Sequence, residues 1–351
     1  MAADNGYPLN KPVEWDGDET CLVTGGAGFI GSYLVRELVR QGKRVVVYDG
    51  TPDAGYIADC VDVDRASVGN VTFVYGDVAD MPHLLSVMTE YGVQVVFHLA
   101  YLLEPDSENN LGTAIRVNCA GFHNVLEAAR VLNVRRVVWP SSAAVYGPAE
   151  YYPPGPVGED VFVKPTLVYA ACKLFNEHIS RFYWDKRGLD VICFRGAVVY
   201  GLGKSRRRDY SIAHLLVENA LLGRPVVLPP MDYSANWVYV KDIVRAYLSA
   251  ARAPRPKHML FNMCGFPYRC SEVVEILKGI LPQVTVHPTK QYLLAHPVEV
   301  SMQDQSRAKE ELGYEPAYPL EEGVKDYLQM LEQFSGQYKS AWSAYDVGPL
   351  P

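Results

Sequence analysis

From about residue 20 to about residue 200, short apolar runs alternate with longer amphipathic stretches. The runs fall at 21–23, 45–48, 71–75, 93–99, 136–139 and 191–194. The stretches between them, notably 29–41, 82–91, 113–132 and 166–187, repeat apolar residues at helical spacing. Valine-rich runs that are apolar on both faces and separated by helices predict a parallel sheet covered on both sides. Right-handed crossovers then make a doubly wound α/β sheet. After residue 196 the pattern changes to a basic loop at 204–208, a helical segment at 212–222 and a proline-punctuated stretch. Trp237-Val238-Tyr239-Val240, followed by Asp242 and a helix to Ala251, is expected to return to the main sheet. The clearest later helices are 271–281 and 322–331.

These shifts divide the chain into four parts. An irregular N-terminal extension (1–18) precedes the sheet domain (19–195, rejoined by 237–262). A smaller C-terminal α/β region (196–236 and 263–334) is expected to bind substrate. The aromatic, proline-bearing tail (335–351) reads as a loosely held surface end.

The most informative stretch is Cys21-Leu22-Val23-Thr24-Gly25-Gly26-Ala27-Gly28-Phe29-Ile30-Gly31. A strand enters a glycine-dense turn and a helix leaves it. Glycines at 25, 28 and 31 allow a sharp turn, close approach to a pyrophosphate and tight helix–strand packing. The helix N-terminus aims free N–H groups and its positive end at the phosphates. Asp49 ends the next strand, 24 residues after Gly25, near the roughly 20 expected for a carboxylate that holds an adenosine ribose. That carboxylate accepts the ribose 2′-hydroxyl and repels a 2′-phosphate, so NAD is expected over NADP. The nearby cations, Lys43 and Arg44, are expected to be solvated.

Bulk properties narrow the class. A net charge of -7 argues against a nucleic-acid partner. No apolar run reaches the 18 or so residues of a membrane helix, and residues 1–6 lack the basic and apolar regions of a signal peptide. A cytoplasmic enzyme is expected. Seven cysteines without a C-x-x-C pair argue against a metal site and a disulfide framework. Cys172 reads as packing.

Tyr169 and Lys173 stand four apart in a helical segment, so phenol and ammonium share one face. A free tyrosine pKa of about 10 is too high for a general base at neutral pH. A nearby ammonium and an oxidised nicotinamide would favour the phenolate. A hydroxyl from the run Ser141-Ser142, at the carboxyl end of a strand, can bind the substrate oxygen that gives up its proton.

With these motifs in order, the chain resembles the extended short-chain dehydrogenase/reductase family, also called the NAD-dependent epimerase/dehydratase family, over about residues 20–330. The resemblance rests on T-G-G-A-G-F-I-G at 24–31, Asp49, G-D-V at 76–78, H-L-A at 98–100 and V-N-C-A-G at 117–121. It continues through S-S-A-A-V-Y-G at 141–147, Y-A-A-C-K at 169–173, F-R-G-A-V-V-Y-G at 194–201 and V-Y-V-K-D at 238–242. It implies a Rossmann fold, NAD as cofactor and a homodimer through the helices at 113–132 and 166–187. By that likeness Gly25, Gly28, Phe29, Ile30, Gly31 and Asp49 hold the cofactor, Asp77 and Val78 line the adenine pocket, and Leu99 and Ala100 flank the cofactor. Tyr169 is the acid/base, and Lys173 lowers its pKa and holds the nicotinamide ribose. Ser142, with Ala143 beside it, meets the substrate, and Asn118 matches the family's helix asparagine near the active site.

Two departures bear on substrate. Nucleotide-sugar members usually carry two arginines for the diphosphate, where this chain has Ala235 and, in the R-P-G-D-like position, His296-Pro297-Val298-Glu299. Two lost charge-assisted contacts at roughly 1.5–3 kcal/mol each make a standard nucleotide-sugar grip doubtful. One reading is a dehydrogenase acting on a secondary alcohol of a small polar substrate (a hydroxy amino acid, a sugar or a sugar acid), similar to short-chain L-threonine 3-dehydrogenases. The other is a sugar or nucleotide-sugar epimerase or dehydratase that retains and recycles NAD. Arg206, Arg207 and Arg208, with Lys204, would then replace the lost arginines on an anionic substrate; the anion could equally be a small carboxylate, which arginine binds bidentately, and otherwise the loop is a solvated patch. A catalytically silent dinucleotide-binding protein is disfavoured because Tyr169 and Lys173 are both intact.

Overall fold

The computed structural model describes residues 19–51, 70–203, 212–288 and 302–343. Strand β1 (Thr20–Thr24), helix α1 (Phe29–Arg40) and β2 (Arg44–Asp49) open the fold. They are followed by β3 (Val71–Tyr75), α2 (Met81–Glu90) and β4 (Val95–His98). Helix α3 then runs through Leu111–Ala114, a π-helical stretch Ile115–Gly121 and Phe122–Val131. β5 (Arg136–Ser142), α4 (Val168–Lys186) and β6 (Val191–Gly196) complete the first half. Beyond them lie β7 (Val198–Tyr200), β8 (Val226–Leu228), β9 (Ser234–Tyr239) and α5 (Val240–Arg252). The rest is β10 (Leu260–Met263), β11 (Phe266–Arg269), α6 (Cys270–Ile280), β12 (Val286–Pro288), α7 (Ser306–Leu312) and α8 (Leu320–Ser343).

Seven strands form an all-parallel sheet in the order β10-β6-β5-β4-β1-β2-β3. Side chains alternate across it, so each strand feeds two cores. Val23, Val45 and Val47 pack with Leu34 and Leu38 of α1 and Ile243 of α5. Leu22, Val46 and Tyr48 pack with Val125 and Leu126 of α3 on the other face. Because β1 has β2 on one side and β4 on the other, the connections diverge there and open a crevice at the carboxyl ends. No helix among the described residues is long and apolar enough to cross a membrane.

Three expectations are corrected. The segment at 237–240 does not rejoin the main sheet: β9 pairs with β7 and β11 in a separate three-stranded sheet, and β10 forms the main sheet's edge beside β6. Apolar periodicity identifies a strand but not the edge it joins, which is a long-range choice. The last helix continues to Ser343, well past 331 and into the stretch read as an irregular tail. Lys43 is buried, next to the β1 residue Cys21, whereas Arg44 is exposed as expected.

A buried polar network joins the sheet to the smaller region. Arg195 of β6 donates to both oxygens of Glu177 on α4, at 3.0 and 2.7 Å, and to the Glu159 carbonyl at 3.0 Å. Ser141 of β5 donates to Glu177 at 2.5 Å. The Glu159 carboxylate accepts from the Asn262 backbone at 2.7 Å, and the Asn262 side-chain oxygen accepts from Tyr146 at 2.6 Å and Gln303 at 3.1 Å. Removing one partner of such a buried pair strands the other charge in a dry interior. Glu177→Ala is therefore expected to lower the unfolding free energy by about 3–5 kcal/mol, read from urea denaturation. A loss under about 1 kcal/mol would place the pair among exposed ones.

Candidate active site

The crevice is a cavity of about 1200 Å³ that runs from the glycine turn to the start of α4. At one end, Gly25 has φ +68, and a Cβ there would stand 2.6 Å from the Ala100 nitrogen. A Cβ at Gly31 would overlap the Gly25 carbonyl oxygen. Only glycine lets β1, α1 and the end of β4 come this close. The Gly28 nitrogen donates to the Gly25 carbonyl at 3.0 Å, and no side chain caps α1. The first-turn N–H groups of the helix are thus left for an anion.

Asp49, at the end of β2, is buried and lines the same cavity. Its carboxylate accepts from the Ala27 nitrogen at 3.0 Å and the Thr51 nitrogen at 2.9 Å, which ties the glycine turn to β2. Asp77 and Val78, after β3, line the next part of the wall. Arg116 of α3 pairs with Asp77. Burial would raise the Asp77 carboxyl, but the Arg116 guanidinium and the Ala79 N–H outweigh it and hold the pKa below the usual value. Leu99 and Ala100, directly after β4, and Phe29 and Ile30 on α1 line the same cavity. Glycine turn, uncapped helix and buried carboxylate together fit an adenine dinucleotide.

At the other end of the cavity the structure brings together Ser142, Tyr169 and Lys173. Ser142 closes β5 and accepts from the Ala144 nitrogen at 3.2 Å, capping a short 3₁₀ turn, Ala143–Tyr146. Tyr169 and Lys173 share one face of the first turns of α4. The α4 start is held by Glu108, whose carboxylate accepts from the Val168 and Tyr169 nitrogens at 3.2 and 3.0 Å. The Lys173 ammonium donates to the Pro140 carbonyl at 2.5 Å, and burial lowers its pKa to about 7. Below it, His98 is fully buried against Thr24 (2.8 Å) and pushed down to about 3 by burial, so it stays neutral.

Two expected site residues lie behind the cavity wall. Asn118 is buried in the π-helical stretch, where its amide oxygen accepts from the Leu102 nitrogen at 2.8 Å and its amide nitrogen donates to the Leu102 carbonyl at 3.0 Å. It clamps the loop after β4 and does not line the cavity. Ala143 turns into a small core with Val145, Tyr146 and Val157. Arg206, Arg207 and Arg208, with Lys204, lie outside the described residues, as do residues 296–299. Ala235 is buried in β9 and paired with Tyr268. Cys172 is buried, in keeping with a packing role.

Sequence reasoning singled out neither Arg116 nor Glu177 and gave Tyr101 no role of its own. Glu177 was within reach of helical-face arithmetic, four residues beyond Lys173. Tyr101 carried only the signal of following His98-Leu99-Ala100.

The chain matches the NAD dependent epimerase/dehydratase family over residues 21–264 and belongs to it. It is an enzyme of that family, with NAD as cofactor. It is 30% identical over 321 residues to a UDP-glucose 4-epimerase of Mycolicibacterium smegmatis, covering 90% of this chain and 99% of the relative. It is 27% identical to the mitochondrial L-threonine 3-dehydrogenase of Bos taurus, covering 88% of this chain and 81% of that enzyme. Its fold is similar to that of MoeE5 in complex with UDP-glucuronic acid and NAD, with a TM-score of 0.75 at 27% identity, covering 90% and 99% of the two chains.

Asp49→Ala removes two hydrogen bonds to a charged acceptor in the turn as well as the carboxylate that is expected to meet the ribose. NAD affinity is expected to fall by about tenfold or more, and the preference for NAD over NADP to narrow, both read by calorimetric titration. An unchanged NAD to NADP ratio would show that the carboxylate serves the turn alone.

Proposed function

We propose that this enzyme is an NAD-dependent dehydrogenase that oxidises a secondary alcohol of a small polar substrate, a hydroxy amino acid, a sugar or a sugar acid. NAD, when bound, supplies the hydride acceptor. Tyr169 takes the hydroxyl proton, Ser142 orients that hydroxyl by hydrogen bonding, and Lys173 supplies the positive charge that favours the phenolate. Asn118 serves by fixing Leu102 and so the cavity wall.

One observation carries the choice of substrate size. Among the described residues, the cations lining the cavity are Lys173 and Arg116. Lys173 belongs to the reacting centre and Arg116 is paired with Asp77. With Ala235 buried in its strand, no described cation is left to hold a nucleotide-sugar diphosphate. The likeness to the bovine threonine dehydrogenase favours the same reading. The epimerase reading is favoured by the mycobacterial relative, and it requires the basic segment at 204–208 to supply the missing anion contacts.

A homodimer through α3 and α4 completes the proposal. These helices contact each other through Asn176 and the Asn118 carbonyl at 2.8 Å, and through Tyr183 and Glu127 at 2.8 Å. Leu111 and Ile115 on α3, and Phe175 and Phe182 on α4, are large apolar residues left exposed in the single chain.

Mass spectrometry of the purified protein, followed by absorbance at 340 nm with added NAD, separates the two readings. An empty site and accumulating NADH with L-threonine, a sugar or a sugar acid is the expected result. Retained NAD with no net NADH from any alcohol would favour the epimerase. Separately, Tyr169→Phe is expected to lower turnover by about 10²–10⁴ while leaving NAD binding nearly unchanged; wild-type turnover in that variant would remove Tyr169 from its role.

A further inference from the structure

The Lys173 ammonium has an unusual partner. It sits 3.5 Å from the centre of the Tyr101 ring, well inside the roughly 6 Å over which a cation feels the negative face of an aromatic ring. The rings of Trp139 and Tyr169 are more distant, at 5.5 and 5.7 Å. Its hydrogen bond goes to a carbonyl, that of Pro140. Among the described residues no carboxylate forms an ion pair with it: Glu177, one turn along α4, is engaged by Ser141 and Arg195. The other titratable groups facing Lys173 are His98 from β4, Cys193 from β6, and Cys172 and Tyr169 on its own helix.

Tyr101 itself is buried and lines the cavity. Its ring meets that of Tyr169 edge-on, with centroids 5.5 Å apart and planes at 87°. Its hydroxyl reaches the Tyr169 carbonyl at 3.5 Å. One aromatic side chain therefore touches both members of the tyrosine–lysine pair, its face toward the ammonium and its contacts toward the phenol. Packing alone would require only apolar volume here. A ring face centred under a buried ammonium adds an electrostatic preference for the charged lysine.

The geometry points to Tyr101 as a positioning residue: its ring face seats the Lys173 ammonium and its perpendicular ring contact sets Tyr169 beside that charge. The inference rests on the reading of Tyr169 and Lys173 as the acid/base pair. Its physical consequence is direct. Burial favours neutral lysine near pH 7, and the ring opposes that loss. Keeping the ammonium charged lets the neighbouring phenol ionise at a lower pH, the two groups titrating as a pair.

The test uses the full-length protein and needs no substrate. The ionisation of Tyr169 is read as tyrosinate absorbance at 295 nm, each variant being compared with the same variant carrying Tyr169→Phe. Tyr101→Phe keeps the ring face and is expected to leave the Tyr169 transition in place. Tyr101→Leu and Tyr101→Met remove the face and are expected to move the transition up by about one pH unit. In a Lys173→Met background, Tyr101→Leu is expected to add nothing, because the charge it seats is gone. Equal transitions in Tyr101→Leu, Tyr101→Met and Tyr101→Phe would overturn the inference. So would an undiminished effect in the Lys173→Met background. Failure of both Tyr101→Leu and Tyr101→Met to fold, with Tyr101→Phe folded, would assign the residue to packing and also overturn it. Wild-type turnover in Tyr169→Phe would instead defeat the acid/base reading, whatever the titration shows.

Discussion

The seating of α4 on the carboxyl ends of β5 and β6 is the constraint on which the site depends. Tyr169, Lys173 and Glu177 recur every four residues along one face of that helix. Side chains of this helix tie it to two strands and a neighbouring helix. Lys173 reaches the Pro140 carbonyl of β5, Glu177 joins Ser141 of β5 to Arg195 of β6, and Asn176 holds the Asn118 carbonyl of α3. A rotation of α4 by one residue, about 100°, would break all of these together. The phenol is consequently placed by a rigid frame and not by a loop.

That frame works in a dry interior. The Arg195–Glu177 pair is nearly inaccessible, and its remaining hydrogen-bonding capacity is met by Ser141 and the Glu159 carbonyl. Buried ion pairs are poor sources of stability against apolar replacements but costly to break singly. Here the pair also links Ser141, neighbour of Ser142, through Glu159 and Asn262 of the β10 edge strand to Gln303 of the smaller region. The reacting end of the cavity and the region expected to hold substrate are thus parts of one polar network. The same dryness acts on Lys173, whose pKa falls toward neutrality, and gives a ring face such as that of Tyr101 its weight.

The described cavity has two ends of different construction, one at the glycine turn and one at Ser142, Tyr169 and Lys173. The glycine-turn end is built mostly from backbone, with glycines that permit close approach and an uncapped helix start, and adds one side-chain carboxylate, that of Asp49. Backbone recognition of this kind serves any member that uses NAD, so it carries no substrate information. Selectivity has to come from side chains beyond Ser142 and Tyr169, and the described ones offer no spare cation for a diphosphate.

Local rules in the sequence determined the parallel sheet, the glycine turn, Asp49 and the Tyr169–Lys173 pair. Strand periodicity, the glycine requirement at Gly25 and Gly31, and helical spacing act over a few residues and leave a direct trace in the order of amino acids. The family resemblance extended this to Ser142, Asp77 and Ala100. Only the tertiary structure decided which sheet β9 joins, that Lys43 is buried, and that Asn118 grips Leu102 from behind the wall while Ala143 faces a separate core. It alone brought Tyr101 beneath Lys173 and Arg195 onto Glu177. Those pairings connect residues 72 and 18 positions apart. They depend on which strands lie side by side, and no periodicity in the chain encodes that neighbourhood.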